Sequence, residues 1–87
     1  VVCHGPPYKV LDSVTPEYKH ERPLGCIHFK NYLERVKPKV AMFGHIHGSG
    51  GMKETIKWND DSVTECFNVS VMNEQYKLTN PVTIIEI

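Results

Sequence analysis

The sequence predicts an α/β fold in which one βαβ unit is followed by an antiparallel hairpin and a final strand. Two patterns point to this fold. A helical repeat lies between two short apolar runs in the first half of the chain, and apolar residues then alternate with polar ones. The 87 residues suffice for one small domain with a modest core.

The βαβ unit begins at the first residue. Val1–Cys3 is apolar and predicts the end of a buried strand. The Gly-Pro-Pro run at 5–7 follows His4 and excludes both a helix and a central strand there. Residues 8–24 contain two further prolines and no sustained period, so we expect an ordered loop.

Residues 25–38 give the clearest helix. Four apolar residues recur on one face of a 3.6-residue repeat: Cys26, Phe29, Leu33 and Val36. Pro38 ends the helix. The apolar run at 40–43 then predicts a strand covered on both faces. The strands before and after the helix should be parallel, with a right-handed crossover.

The second half of the chain has the pattern of a hairpin. Ile56 and Trp58 alternate with polar residues, and the Asn-Asp-Asp-Ser run at 59–62 is typical of a turn. Apolar residues alternate again in the next segment: Val63, Phe67, Val69 and Val71. We expect a loop over residues 72–80 and a final strand over 81–87 that begins at a proline.

Composition excludes several functions. Ten Lys and Arg residues balance ten Asp and Glu residues, which leaves no electrostatic footprint for nucleic acid or an anionic membrane. No apolar stretch approaches the ~20 residues of a membrane helix. Three widely spaced cysteines indicate reduced thiols in an intracellular, cytoplasmic protein. Asn68-Val69-Ser70 matches a glycosylation sequon but lies inside a strand pattern.

Three histidines are candidate metal ligands. His4 directly follows the first predicted strand, and His45 follows the second after Gly44. Because the carboxyl ends of parallel strands meet at one edge of a sheet, both imidazoles should project there, and His47 can reach the same edge. Neutral imidazole suits Zn, Mn and Fe. The alternative is that the His-x-His pair is simply polar loop sequence.

Other polar residues have a structural explanation. His20 and His28 are expected to be solvated or structural. Four acidic residues have no strand-end position and are expected to be surface charges: Asp12, Glu17, Glu21 and Glu54. Asp60 and Asp61 suit the hairpin turn. Asn73 and Tyr76 either contact substrate or form local loop hydrogen bonds.

The two histidine motifs resemble those of the calcineurin-like metallophosphoesterases. The sequence FGHIH is similar to the family's Gly-His-x-His motif, and VVCHGPP is similar to its preceding His-Gly-Pro-Pro motif. Residues 24–47 and 67–81 resemble the small metallophosphoesterase-domain-containing subgroup. The turn after the histidine pair departs from that subgroup, and the family's Asp-x-His, Gly-Asp and Gly-Asn-His motifs are absent.

The resemblance implies that residues 1–87 are the C-terminal half of a metallophosphoesterase β-sandwich flanked by helices. It implies two divalent ions (Mn, Fe or Zn) in a complete domain, with His4 and His45 on one ion and His47 on the other. Such a centre hydrolyses phosphate mono- or diesters, and the missing N-terminal half would supply the other ligands.

Two other functions remain open at this point. The chain could be a non-catalytic half-domain that binds a protein partner or a single metal ion. It could also be a small zinc protein with three histidine ligands and an open position for water. In either half-domain interpretation the isolated chain is expected to be inactive, because the upstream metal motifs are absent.

Overall fold

The computed structural model describes residues 1–13, 24–73 and 75–86. In chain order the elements are helix α1 (Ile27–Val36), strand β1 (Val40–Phe43), a 3-10 turn (His47–Ser49), strand β2 (Lys53–Lys57) and strand β3 (Val63–Asn68). The predicted helix, the strand at 40–43 and the hairpin are therefore confirmed. Most of the predicted loop at 8–24 lies outside the described residues.

Helix α1 packs through the centre of its predicted apolar face. Phe29 and Leu33 are buried, whereas Cys26 and Val36, at the ends of that face, are exposed. The helix ends at Lys37, which adopts the left-handed conformation (φ 51°) and donates its backbone N–H to the Leu33 carbonyl at 2.7 Å. Pro38 prevents any continuation. The helix is thus shorter than predicted by two residues at each end.

The core lies between α1 and one face of the sheet. Phe29 meets Phe43 edge to face, with 6.2 Å between ring centroids. The buried apolar cluster consists of Val10, Phe29, Leu33, Ala41, Phe43 and Cys66. Val40 and Met42 point to the other face of β1 and are only half-buried. The prediction that β1 is covered on both faces is therefore wrong, because its residues alternate between a buried and a partly open face.

The sheet has the order β1–β3–β2, with β1 parallel to β3 and β2 antiparallel to β3. Residues 1–4 run parallel to β1 along its other edge. The Met42 N–H donates to the Val1 carbonyl at 2.8 Å, and the Cys3 N–H donates to the Met42 carbonyl at 2.9 Å. The carboxyl ends of residues 1–4, β1 and β3 consequently meet at one edge of the sheet, named the histidine edge below.

The parallel pairing predicted for the βαβ unit is confirmed, but its first strand is not buried. Val2 makes a single bridge to Met42 and is 75% exposed. Apolar sequence predicted burial there. Burial of a strand also needs a layer over its face, and the described residues place α1 only over the opposite side of β1.

The buried face of β3 is the polar one. Thr64, Cys66 and Asn68 are buried, whereas Val63 is 45% exposed. Hydrogen bonds make this possible, since Thr64 Oγ1 accepts from Trp58 Nε1 at 2.9 Å and donates to the Pro38 carbonyl at 2.6 Å. The alternation of apolar residues in the sequence identified the hairpin but not the face that is buried.

The turn of the hairpin is confirmed at residues 59–62. Asp60 Oδ1 accepts hydrogen bonds from the backbone and hydroxyl of Ser62, and Lys37 Nζ lies 3.2 Å from Asp60 Oδ2. These donors stabilise the ionised carboxyl and lower the pKa of Asp60 to about 2. Asp61 takes the left-handed conformation that such a turn requires (φ 67°).

The predicted final strand is wrong. Residues 81–86 form no strand, and Val82 and Ile84 are 76% and 88% exposed. Pro81 has no N–H to begin a ladder, and β-branched sequence forms a strand only where an edge is available for pairing. Among the described residues, no helix is both long and apolar enough to cross a membrane.

The thiol of Cys66 should react far more slowly than those of the other two cysteines. Burial, and secondarily the nearby charge of Glu54, raises the pKa of the Cys66 thiol to about 11, although Lys30 acts in the opposite direction. Cys3 and Cys26 are exposed. At pH 8 a maleimide should label two thiols per chain quickly and Cys66 about a hundredfold more slowly, with unfolding in guanidinium releasing it. Three equal labelling rates by mass spectrometry would contradict this packing.

Candidate functional site

His4 and His45 lie side by side at the histidine edge. Their ring centroids are 4.7 Å apart and their planes are tilted by 41°. The Gly44 N–H donates to the His4 carbonyl at 2.9 Å and so joins the two backbones next to both rings. Both side chains are exposed to solvent. The predicted convergence of these two histidines is therefore seen directly in the structure.

His45 adopts a backbone conformation that non-glycine residues seldom use, with φ of 68°. This left-handed residue follows β1 and turns the chain sharply after Gly44. Such conformations persist only where the surrounding contacts hold them, and they concentrate at functional sites. The turn sets the imidazole of His45 against that of His4.

His47 begins the 3-10 turn and packs in a different environment. Its Nδ1 lies 3.2 Å from the backbone carbonyl oxygen of Asn73, and its ring meets the Tyr76 ring edge to face at 5.4 Å. A carbonyl oxygen can only accept, so the hydrogen bond requires a proton on Nδ1. In the neutral ring, Nε2 then carries the free lone pair.

Two of the three predicted ligands are thus neighbours, and the third faces a separate loop. Among residues 1–13, 24–73 and 75–86, no three His, Cys, Asp or Glu side chains are grouped so that they could hold one metal ion. Coordination by His4, His45 and His47 remains a prediction. The exposed pair offers two nitrogen donors of the type that transition metals prefer, and further ligands would be needed to complete a site.

Asn68 organises the histidine edge, a role that the sequence pattern did not reveal. It ends β3 opposite Phe43 and is fully buried. Its Nδ2 donates to the Leu11 carbonyl at 3.3 Å and to the Ile46 carbonyl at 2.9 Å, while Oδ1 accepts from the Ser70 N–H at 3.1 Å. The Asn68 side chain therefore ties the turn between His45 and His47 to two other segments, at Leu11 and Ser70.

The signal that could have identified Asn68 is its position, a polar residue at the end of a strand that points to the sheet edge. The same hydrogen bonds bear on the sequon. Nδ2 is the atom that N-glycosylation modifies, and here it is buried and donates twice. Asn68 is therefore not a glycan acceptor in the folded chain.

The loop that carries His47 is fixed by close packing at its far end. Ser49 is buried and its hydroxyl donates to the Ser13 carbonyl at 2.7 Å. Asn80 Nδ2 donates to the Ser70 carbonyl at 2.9 Å across the same loop. A Cβ at Gly50 would lie 2.7 Å from the Ser70 carbonyl oxygen, so only glycine fits at this approach.

The expectation that Asp12 is a surface charge is wrong. It is 3% exposed, and its Oδ2 accepts the backbone N–H groups of Lys9 and Gly25, each at 2.8 Å. The carboxylate joins the loop after His4 to the segment before α1. Sequence spacing could not show this burial, because the two N–H donors lie on opposite sides of Asp12 in the chain and come from different segments.

The remaining sequence candidates divide as follows. His28 is exposed on α1, as expected, and Glu54 is half-buried on β2 opposite Cys66. His20, Glu17 and Glu21 lie outside the described residues. Asn73 and Tyr76 form a local turn and also contact His47. The loop interpretation of these two residues is thus confirmed, whereas contact with substrate stays a prediction.

Comparison with known proteins finds similarity over the whole chain. The chain is 33% identical, over an alignment of 88 residues, to the human and mouse proteins named metallophosphoesterase domain-containing protein 1. The alignment includes all of this chain and 24% of each relative. No family model and no solved structure matches the chain. Over its whole length, the chain is therefore similar to about a quarter of a metallophosphoesterase domain-containing protein.

Proposed function

We propose that this chain is the C-terminal part of a metal-dependent phosphoesterase domain of the calcineurin-like superfamily. The observation that carries the proposal is the contact between His4 and His45, 4.7 Å apart at the carboxyl ends of two parallel segments. Ligands of α/β sheets bind at that edge. The similarity to metallophosphoesterase domain-containing proteins supports the same assignment.

In this proposal His4 and His45 would hold one divalent ion, and His47 would hold a second through Nε2. Bound ions of this kind (Mn, Fe or Zn) would supply charge stabilisation for the hydrolysis of a phosphate mono- or diester. The chain's own contribution is to orient the imidazoles. Gly44 and Asn68 do so for the turn at His45, and Asn73 does so for the ring of His47.

The rest of such a domain is the proposed partner. It would add the second layer of a β-sandwich and the anionic ligands. Val40, Met42 and Phe67 lie half-buried on the sheet face opposite α1, and Val63 there is 45% exposed. A second layer would cover these residues and remove apolar surface from water.

Electrostatics limits what the isolated chain can do. Three neutral imidazoles bring no negative charge to offset a dication, and the described residues place no carboxylate in a three-ligand group with them. We therefore expect at most one transition metal to bind, weakly. Phosphodiesterase activity should be negligible, because hydrolysis at a pair of ions needs both ions in place.

The test is a calorimetric titration of the chain with Zn²⁺ or Mn²⁺ at pH 7.5. His4→Ala and His45→Ala should each weaken binding about tenfold or more, since each removes a ligand. The matched control is His28→Ala, which removes an exposed histidine from α1 and should leave binding unchanged. Equal binding by all four proteins would refute the site, and turnover of an aryl phosphodiester that His45→Ala abolishes would refute the expected inactivity.

The exposed apolar residues also favour a second candidate, a non-catalytic half-domain that binds a protein partner. Val2 is 75% exposed beside β1, and Ile84 is 88% exposed near the end of the described chain. Such residues mark interaction surfaces when they lie together. If His4→Ala and His45→Ala bind metal as the unmodified chain does, this candidate replaces the phosphoesterase proposal.

A further inference from the structure

A small hairpin lies against His47 and is built around one asparagine. Residues 71–80, of which Glu74 is not described, turn back on themselves through a bridge between Met72 and Leu78. Within this segment, named the Asn73 hairpin, the Asn73 Oδ1 atom accepts the backbone N–H of Gln75 at 2.9 Å and that of Lys77 at 3.1 Å. The side chain thereby closes the turn in the manner of an Asx motif.

The backbone N–H and carbonyl of Asn73 are both hydrogen-bonded as well. Its N–H donates to the Lys77 carbonyl at 2.9 Å, and its own carbonyl accepts the Tyr76 N–H at 3.0 Å. The same carbonyl oxygen accepts from His47 Nδ1 at 3.2 Å. A carbonyl oxygen has two lone pairs, so these two bonds satisfy it completely.

Tyr76 adds a second constraint on the same ring. It sits in the left-handed conformation (φ 60°), and its ring meets that of His47 at an interplanar angle of 79°. Tyr76 is itself 76% exposed, so burial of its own surface does not explain this position. The edge-to-face contact restricts rotation of the imidazole about its side-chain bonds.

The base of the Asn73 hairpin is anchored to the loop that carries His47. The N–H groups of Thr79 and Asn80 both donate to the Val71 carbonyl at 3.0 Å. A Cβ added at Gly50 would come within 2.6 Å of Asn80 Nδ2, and one at Gly51 within 3.3 Å of Asn80 Cγ, so the Asn80 side chain packs against this loop. The hairpin thus touches the His47 loop both at its tip and at its base.

We infer that the Asn73 hairpin is a positioning element that holds His47 in the Nδ1–H tautomer and presents Nε2 as the free donor. Asn73 and Tyr76 are positioning residues, since both act through the His47 ring. The inference adds to the proposed function and rests on it, because the purpose of a fixed tautomer would be metal binding through Nε2. Metal-binding histidines commonly donate their second ring N–H to a carbonyl or carboxylate, which fixes the tautomer and the ring orientation.

The test reads the tautomer directly by two-bond ¹⁵N–¹H NMR of the histidine rings at pH 8.5, without metal. In the unmodified chain, His47 should carry its proton on Nδ1, with exposed His28 as the internal reference for a free ring. Asn73→Ala removes the Oδ1 acceptor and should move His47 toward the tautomer mixture of His28. Asn73→Asp keeps an acceptor oxygen at that position and should retain the Nδ1–H form.

Gln75→Ala is the matched control, because it changes an exposed side chain of the same turn and keeps its backbone N–H. It should leave the tautomer of His47 unchanged. A proton on Nε2 of His47 in the unmodified chain would overturn the inference, and that reading does not depend on whether Asn73→Ala folds. An unchanged tautomer in folded Asn73→Ala would also overturn it.

A Zn²⁺ titration of the same proteins separates this inference from the proposed function. If both hold, Asn73→Ala weakens the component of binding that His47→Ala removes, and Gln75→Ala does not. If the tautomers follow the expected pattern but no variant binds Zn²⁺, the positioning element stands and the metal site is refuted.

Discussion

Replacing Asn68 with alanine is expected to lower the free energy of unfolding by about 2–4 kcal/mol. The change removes two hydrogen bonds to the carbonyls of Leu11 and Ile46 and one from the Ser70 N–H, all around a fully buried side chain. Small domains are stable by only ~5–15 kcal/mol, so the loss would be a large part of the total. Urea denaturation followed by circular dichroism measures it.

Asn68→Asp tests the same hydrogen bonds with a side chain of nearly the same shape that replaces the Nδ2 donor by an acceptor oxygen. A carboxylate oxygen in place of Nδ2 would face two carbonyl oxygens and could donate to neither unless protonated. We expect Asp to be at least as destabilising as Ala, and more so at pH 7 than at pH 4, where protonation relieves the buried charge. Asn59→Ala is the control, since Asn59 is exposed in the hairpin turn. Equal stabilities for all three variants would show that Asn68 does not hold this edge.

Replacing Gly25 with alanine is expected to destabilise the chain by about 1–3 kcal/mol or more. A Cβ there would overlap the backbone carbonyl of Pro7 and approach the Tyr8 nitrogen to 2.8 Å. These are backbone atoms of the paired segment, where the Cys26 N–H donates to the Pro6 carbonyl and the Tyr8 N–H donates to the Cys26 carbonyl, each at 3.0 Å. The backbone can relieve the overlap only by giving up this pairing.

Gly5→Ala provides the matched control for Gly25→Ala. A Cβ at Gly5 meets no atom within 4 Å, and Gly5 lies in the same segment that follows His4. Thermal unfolding should show Gly5→Ala close to the unmodified chain and Gly25→Ala clearly lower. A Gly25→Ala variant as stable as Gly5→Ala would mean that residues 6–8 and 24–26 are not paired as described.

The sequence predicted the parts of the fold that depend on local pattern. The 3.6-residue spacing placed α1 and the two buried residues at the centre of its apolar face, Phe29 and Leu33. Pro38 marked its end, and the apolar run marked β1 at its observed bounds. Parallel pairing of the first segment with β1 follows from the general geometry of βαβ units.

The errors come from properties that depend on partners distant in sequence. Thr64 and Asn68 are buried because carbonyls from other segments accept their hydrogen bonds, which no alternation of apolar residues reveals. Asp12 is buried for the corresponding reason, as an acceptor for two backbone N–H groups. Residues 81–86 had a strand-like composition, but composition does not provide an edge to pair with.

The candidate site was predictable to a similar extent. Strand-end position was enough to bring His4 and His45 together, since parallel strands end at one edge. The environment of His47 was not predictable, because it depends on the fold of the Asn73 hairpin. The residues that hold the imidazoles in place, above all Asn68, became visible only through their hydrogen bonds.

The central claim is that His4 and His45 form one ion-binding pair at the histidine edge, and ¹⁵N NMR of the imidazole rings during a Zn²⁺ titration tests it most directly. We predict that the ring resonances of His4 and His45 shift together at the same Zn²⁺ concentration while that of His28 stays in place. Substitution of either one by alanine should move the shift of the other to a Zn²⁺ concentration about tenfold higher or more. Independent shifts of His4 and His45, or a response no larger than that of His28, would contradict it.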